Sequence, residues 1–147
     1  MKMKKNVATL FIAFAAIFAL CSVALANNYE PVPYSSLYLD GCGASLRAKG
    51  NGEMAVDVVV DSVGKADKVG IREIYVEELK DGKWYFYESL DAVDHPEFYE
   101  YNTYCYVNTI KFDGVPGRYY RVTITAYAKK GNGSDTLDHT TDKTLCT

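Results

Sequence analysis

The 147 residues contain two histidines, one tryptophan, four prolines and four cysteines, and each scarcity closes off a class of function. Neither His95 nor His139 stands at ligand spacing from a cysteine, and the cysteines are widely separated, which argues against a tetrahedral metal centre. No window of adequate length shows the 3.6-residue apolar period of an amphipathic helix. After Leu20 there is no apolar run long enough to cross a bilayer, so stable membrane insertion is not expected. Basic residues are also in deficit, sixteen Lys and Arg against nineteen Asp and Glu. Neutralising nucleic acid or an anionic membrane calls for clustered cations, so neither is an expected partner.

What is present begins with a leader. Met1-Lys2-Met3-Lys4-Lys5 precedes an apolar run from Val7 to Leu20, and Ala24-Leu25-Ala26 follows. A charged start, an apolar centre and a small-residue end read as a secretory signal peptide over residues 1–26. The run is shorter than the ~20 residues of a spanning helix. Cys21 is preceded by bulky Leu20, unlike a lipoprotein site. Removing the leader takes three lysines with it and leaves thirteen basic residues against nineteen acids, a net charge of −6. Residues 27–35 form a polar leader containing Pro31 and Pro33, and residues 36–147 form one domain. No wall-anchoring tail is seen, so the expected location is secreted and extracellular.

The clearest pattern lies in Gly114 to Ala128. Gly114, Pro116 and Gly117 make a turn, after which Tyr120, Val122, Ile124 and Ala126 alternate with Arg121, Thr123, Thr125 and Tyr127. A strict period of two with one apolar face predicts a half-buried strand. A tyrosine after a turn and two residues before the central buried position is how a late strand of many immunoglobulin-like sandwiches begins. Tyr120 is therefore expected to be a structural corner, buried, with its hydroxyl bonded to backbone near Phe112 to Pro116.

Six further strands are predicted. Leu37–Ala48 is the first, Met54–Val60 the second and, after a polar loop from Ser62 to Gly70, Ile71–Leu79 the third. Asp81-Gly82 suits a type I′ hairpin turn, which places Leu79 opposite Trp84 and Val76 opposite Tyr87. Trp84–Ser89 then returns as the fourth strand, with Ile74 and Val76 inward. An acidic loop from Asp91 to Glu100 precedes the fifth strand, Tyr101–Phe112. Asp135–Cys146 is the last. Regularly spaced short strands and turns argue for an all-β, seven-stranded β-sandwich. The positions that carry the inter-sheet cystine of immunoglobulins are Val58 and Val122, and the third strand has no tryptophan. The pattern is thus nearer the fibronectin type III kind.

Ala44-Ser45-Leu46 before a glycine turn, Asp67-Lys68-Val69-Gly70, Asp81-Gly82-Lys83-Trp84, Gly117-Arg118-Tyr119-Tyr120-Arg121-Val122 and the glycine-serine turn at Asn132 together carry a resemblance. The chain resembles small, secreted, single-domain immunoglobulin-like (fibronectin type III-like) proteins of Gram-positive bacteria. The resemblance implies a signal peptide and a β-sandwich. It implies no activity and no functional residues.

Candidate chemistry is weighed residue by residue. Paired acids such as Glu77-Glu78, Asp91 with Asp94, and Glu97 with Glu100 lie on hairpin faces and in a loop, where solubility accounts for them. Glycosidase chemistry would require two carboxyls facing across a cleft. Cys105 lies mid-strand with no helix N-terminus to activate its thiol, against a nucleophilic role. Asp57, Asp61, Asp67 and Asp135 lack the spacing of a calcium loop. No catalytic residue, metal or cofactor is therefore assigned. Of the three cysteines outside the leader, Cys42 and Cys146 are the disulfide candidates, as a staple between the first and last strands. Thirteen tyrosines, all outside the signal peptide, are the strongest hint of function. Exposed rings anchor sugars or proteins. Trp84, Tyr85 and Tyr87 on the hairpin are the binding candidates, and Tyr99, Tyr101, Tyr104 and Tyr106 form a second possible patch. The expectation is a non-enzymatic binding module for a protein or a carbohydrate. The alternatives are a small protease inhibitor on the same scaffold and a passive structural protein.

Overall fold

The computed structural model describes residues 36–147; the signal peptide predicted over residues 1–26 and the leader predicted over residues 27–35 lie outside the described residues. Strands take 77% of the described residues and form one seven-stranded antiparallel sheet, curled into a half-barrel. They are β1 (Leu39–Gly50), β2 (Glu53–Lys80), β3 (Lys83–Asp91), β4 (Tyr99–Asp113), β5 (Tyr119–Lys130), β6 (Gly133–Thr140) and β7 (Thr144–Leu145), with one 3₁₀ turn at Pro96–Phe98.

Strand β2 organises the sheet. The second and third predicted strands and the polar loop between them are one 28-residue strand. The loop's residues become a bulge. Asp61 stands opposite Cys105 and Ala66 opposite Thr103, so four β2 residues face Tyr104 alone. Such an excess bends and twists a strand without ending it. The Ser62 hydroxyl lies 2.8 Å from the carbonyl oxygens of Gly64 and Tyr104, serving groups that the bulge leaves outside the ladder. Along one edge of β2 run β1 and then β5; along the other run β4 and then β3. Gly70 is obligatory where these handovers meet: its φ is +154°, and a Cβ there would lie 1.9 Å from the Phe98 carbonyl oxygen.

The alternation read in β5 is present residue by residue. Tyr120, Val122, Ile124 and Ala126 are fully buried, while Arg121, Thr123, Thr125 and Tyr127 are half-exposed on the other face. The core gathers these with Val56, Val58 and Val60 from the first half of β2, Ile71, Ile74 and Val76 from its second half, and Ile110 and Phe112 from β4. Tyr120 is buried, and aromatic rings enclose it. Its ring is 0% exposed and meets Phe112 and Tyr87 edge-on, at centroid distances of 5.9 and 5.0 Å. Its hydroxyl accepts the Val115 N–H at 2.9 Å. Desolvation pushes its pKa up to about 12. Gly114 lets the turn close on this ring, since a Cβ there would come within 2.9 Å of it.

At the β2–β3 hairpin Asp81 and Gly82 both have positive φ, 50° and 76°, as a type I′ turn requires. Leu79 faces Trp84 as predicted, but Val76 faces Glu88 rather than Tyr87. A bulge between Val76 and Glu77 inserts Tyr87 as the extra residue. The last predicted strand, Asp135–Cys146, divides into β6 and β7. The division falls at Thr141, whose N–H donates to the Val122 carbonyl while its hydroxyl accepts the Val122 N–H. A side chain thus takes the place of one ladder acceptor, and the chain crosses over to pair Thr144 and Leu145 with Tyr120 and Tyr119.

The Cys42–Cys146 staple is not formed; the cysteines are not at disulfide distance. The register explains the separation. Cys42 pairs with Val60, eight residues from the Gly50 end of β1, or about 27 Å along the strand. The Cys146 sulfur lies 3.5 Å from the Gly52 carbonyl, at that opposite end. Backbone bonds hold the tail without a cross-link: Gly52 N–H to Thr147, Gly117 N–H to Cys146 and Cys146 N–H to Arg118, at 2.8–2.9 Å.

Candidate functional site

Cross-strand register places the hairpin aromatics. Trp84, Leu79, Tyr119 and Leu145 stand side by side in a row crossing β3, β2, β5 and β7, and Phe86, Glu77 and Arg121 form the next row. These side chains share the outer face of the sheet, because Val76 and Glu78 between them point to the core. Tyr75 occupies the same face one row further on, with its ring 5.2 Å from that of Phe86. The Arg121 guanidinium lies over the Trp84 ring at 4.4 Å and donates through Nε to Glu77 Oε2 at 2.6 Å. Lys143 stands over the Tyr119 ring at 5.2 Å. The result is a ring-rich platform with Arg121 and Lys143 set into it.

The sequence candidates divide between this face and the interior. Trp84 is on the platform, half-buried beneath Arg121. Tyr85 is on the other side of β3, opposite buried Glu78, and 48% exposed. Tyr87 turns inward, packs edge-on against Tyr120 and donates its hydroxyl to the Asp113 carbonyl at 2.8 Å, so it supports the corner. Phe86, 58% exposed, and Arg121 are the platform members that sequence reasoning did not select. The parity of β3 carried the signal: Phe86 shares its face with Trp84, whereas Tyr85 and Tyr87 do not.

Several carboxylates are engaged by the protein's own donors, whereas Glu88 keeps a buried oxygen without a partner among the described residues. Glu78 is buried and binds Lys80 and Arg118. Burial alone would raise its pKa, but hydrogen bonds from Lys80 and Arg118 and their charges outweigh that and hold it below the usual carboxylate range. Arg47 and Thr109 converge on Asp57 and lower its pKa, the Arg47 hydrogen bond contributing most. Asp135 accepts from Ser36, Leu37 and Tyr38, and Asp67 from the Gly131 N–H. Among the described residues no three His, Cys, Asp or Glu side chains gather as metal ligands. His95 stacks on Phe98 and meets Glu97 at 2.8 Å, His139 is opposite Ile124, and exposed Cys105 is opposite Asp61.

An open polar groove of about 440 Å³ separates β1 at Ala44–Leu46 from the β6–β7 crossing at His139–Thr144. The Thr144 hydroxyl donates across it to the Leu46 carbonyl at 3.0 Å, and none of the binding candidates lines it. In the second tyrosine group, Tyr106 is buried, receives Asn108 Nδ2 at 2.8 Å and donates to the Glu97 carbonyl, while Tyr101 and Tyr104 are exposed. The chain matches no protein-family model and no curated protein.

Proposed function

We propose that the protein is a secreted, non-enzymatic binding module of the immunoglobulin-like, fibronectin type III-like kind, contacting a protein or a glycan through the outer platform around Trp84. The observation that carries this reading is the convergence of Trp84, Phe86, Tyr75 and Tyr119 from three strands onto one outer face. The buried core does not include these rings. Leaving large apolar rings in water forgoes about 1.5–3 kcal/mol each relative to burial, and a contiguous exposed apolar patch marks an interaction surface. Secretion is supported by the charged and apolar pattern of residues 1–26. The sandwich reading is supported by the Tyr120 corner and the apolar residues at Val58 and Val122.

The test is a glycan array together with a pull-down of surface proteins, using residues 27–147. A saturable partner is expected, with binding weakened about tenfold or more by Trp84→Ala or Phe86→Ala. Tyr85→Ala is expected to leave it nearly unchanged. Failure to bind any glycan or surface protein, or equal binding by Trp84→Ala, Phe86→Ala and the parent chain, would overturn the assignment.

A further inference from the structure

A second cluster occupies the same outer face at the far end of β5, and it contains none of the Trp84 platform. Tyr101, Lys68 and Lys129 stand in one row across β4, β2 and β5; Tyr99, Gly70 and Tyr127 form the next. Gly70 has no side chain, so the rings of Tyr99 and Tyr127 meet over it, edge to face at 5.7 Å. The Lys68 ammonium is held among three phenol rings, 3.7 Å from Tyr99, 5.8 Å from Tyr127 and 5.9 Å from Tyr101. Tyr101 is 62% exposed. Among the described residues neither Lys68 nor Lys129 has a carboxylate partner, whereas Arg47, Lys80, Lys111, Arg118 and Arg121 each do. Asp67 is engaged with Gly131, and by register Glu73 lies one row beyond the rings, opposite Thr125.

We infer that this cluster is a binding site for an acidic sugar, a pyranose ring carrying a carboxylate, as in a polyuronate chain. Two features select that chemistry. One row sets two lysines without carboxylate partners on neighbouring strands, in a chain whose net charge is negative, and the local excess favours an anion. Beside them the exposed Tyr101 ring stacks on the C–H face of a sugar, and the phenol hydroxyls add hydrogen-bond partners. An open-chain polyol phosphate or an acidic peptide supplies the charge but no saturated ring fixed next to it. Lys68 serves as the charge partner. Its cation–π contacts hold the ammonium in place before the ligand arrives, which reduces the ordering cost of binding.

Calorimetric titration with trigalacturonate tests the inference, with the methyl-esterified trimer and triglutamate as controls. The parent chain is expected to bind the trimer, and its esterified form about tenfold more weakly. Lys68→Gln should lose about tenfold, Lys68→Arg should stay within about threefold, and Trp84→Ala should bind as the parent does. Circular dichroism melts confirm that each variant is folded. No binding of the trimer, equal binding of the ester or triglutamate, or unchanged binding by Lys68→Gln would each overturn the site. The outcomes also separate this site from the platform. Trimer binding that needs Lys68 but not Trp84 supports this site whatever becomes of the platform. A partner lost with Trp84→Ala while the trimer goes unbound leaves the platform reading intact and ends this one.

Discussion

Strands β5 and β3 flank the same half of β2, one on each edge, and use their side chains in opposite ways. Strand β5 is paired on both edges and buries every second residue from Tyr120 to Ala128. Strand β3 pairs on one edge only, and none of its nine residues is buried, though four of them in succession are aromatic. Strict alternation commits a strand to one wet and one dry face. Rings on both parities cannot all be inside, and at a sheet edge there is no second neighbour to cover the surplus. The comparison separates aromatic residues that build the scaffold, Tyr120 and the Tyr87 that leans on it, from those left on the outer face, Trp84 and Phe86.

The largest effect that could break this contrast is on stability. Ile124→Ala, in the middle of β5, should cost about 2–5 kcal/mol in urea unfolding because it empties a fully buried site. Phe86→Ala on β3 should stay within about 0.5 kcal/mol. Comparable losses would mean that the platform belongs to the core. Next in size is Tyr120→Phe. It keeps the ring packing but leaves the Val115 N–H without its acceptor, for a loss of about 1–3 kcal/mol. A variant as stable as the parent would remove the corner from the account of the fold.

The same contrast governs what was legible in the sequence. Strand β5 was readable because burial alternates without interruption from Tyr120 onward. The Asp81-Gly82 turn was readable because only a few residues adopt its two positive φ values. Strand β2 was not, because Ser62–Gly70 has turn composition and its pairing partners, β4 and β5, are distant in sequence; tertiary hydrogen bonding overrode the local signal. The seventh predicted strand failed at Thr141, where a hydroxyl imitates a backbone acceptor. The count of seven survived only because one merger and one division offset each other. At the candidate site the sequence revealed the excess of rings but not their sorting, since the bulge that turns Tyr87 inward is set across strands by Val76 and Glu77. Of the Lys68 cluster only Tyr99 and Tyr101 were within reach, as part of the second tyrosine group; Lys68, Lys129 and Tyr127 join them from two other strands around a glycine.

Glu78 sharpens the comparison from between the two strands, with Tyr85 of β3 opposite it on one side and Tyr120 of β5 on the other. Its folded pKa is held below the unfolded value near 4.3 by Lys80 and Arg118, against the opposing effect of burial. A depressed carboxylate contributes stability that is fully present above the unfolded pKa and lost as pH falls through the folded one. Glu78→Gln should therefore cost about 1 kcal/mol at pH 7, a modest figure because Arg118 and Lys80 are about half exposed. The difference between parent and variant should shrink as pH drops below about 4. A difference that is constant from pH 7 to pH 3 would mean that packing, not charge, holds this position.

The smallest expected effect concerns the thiols, and it asks whether either strand needs a covalent tie. A staple closing so long a loop would contribute roughly 4 kcal/mol, as much as the core of β5 loses with Ile124→Ala. With Cys42 and Cys146 at opposite ends of β1, reductant should leave the melting temperature unchanged. Thiol titration of residues 27–147 should count three groups after unfolding. In the native state Cys105 should react first, being exposed, whereas desolvation, reinforced by Asp138, pushes the Cys42 thiol up to about 11 and burial raises that of Cys146. A thiolate is the reacting species, so a raised pKa and a closed surface both slow it. One titratable group instead of three, with a melt that drops on reduction, would restore the staple. It would require β1 to shift along β2 by several residues, and a shift by an odd number would turn its core residues outward. The interlocked register from Leu39 to Gly50, with Leu39 and Cys42 both in the core, stands against such a slip.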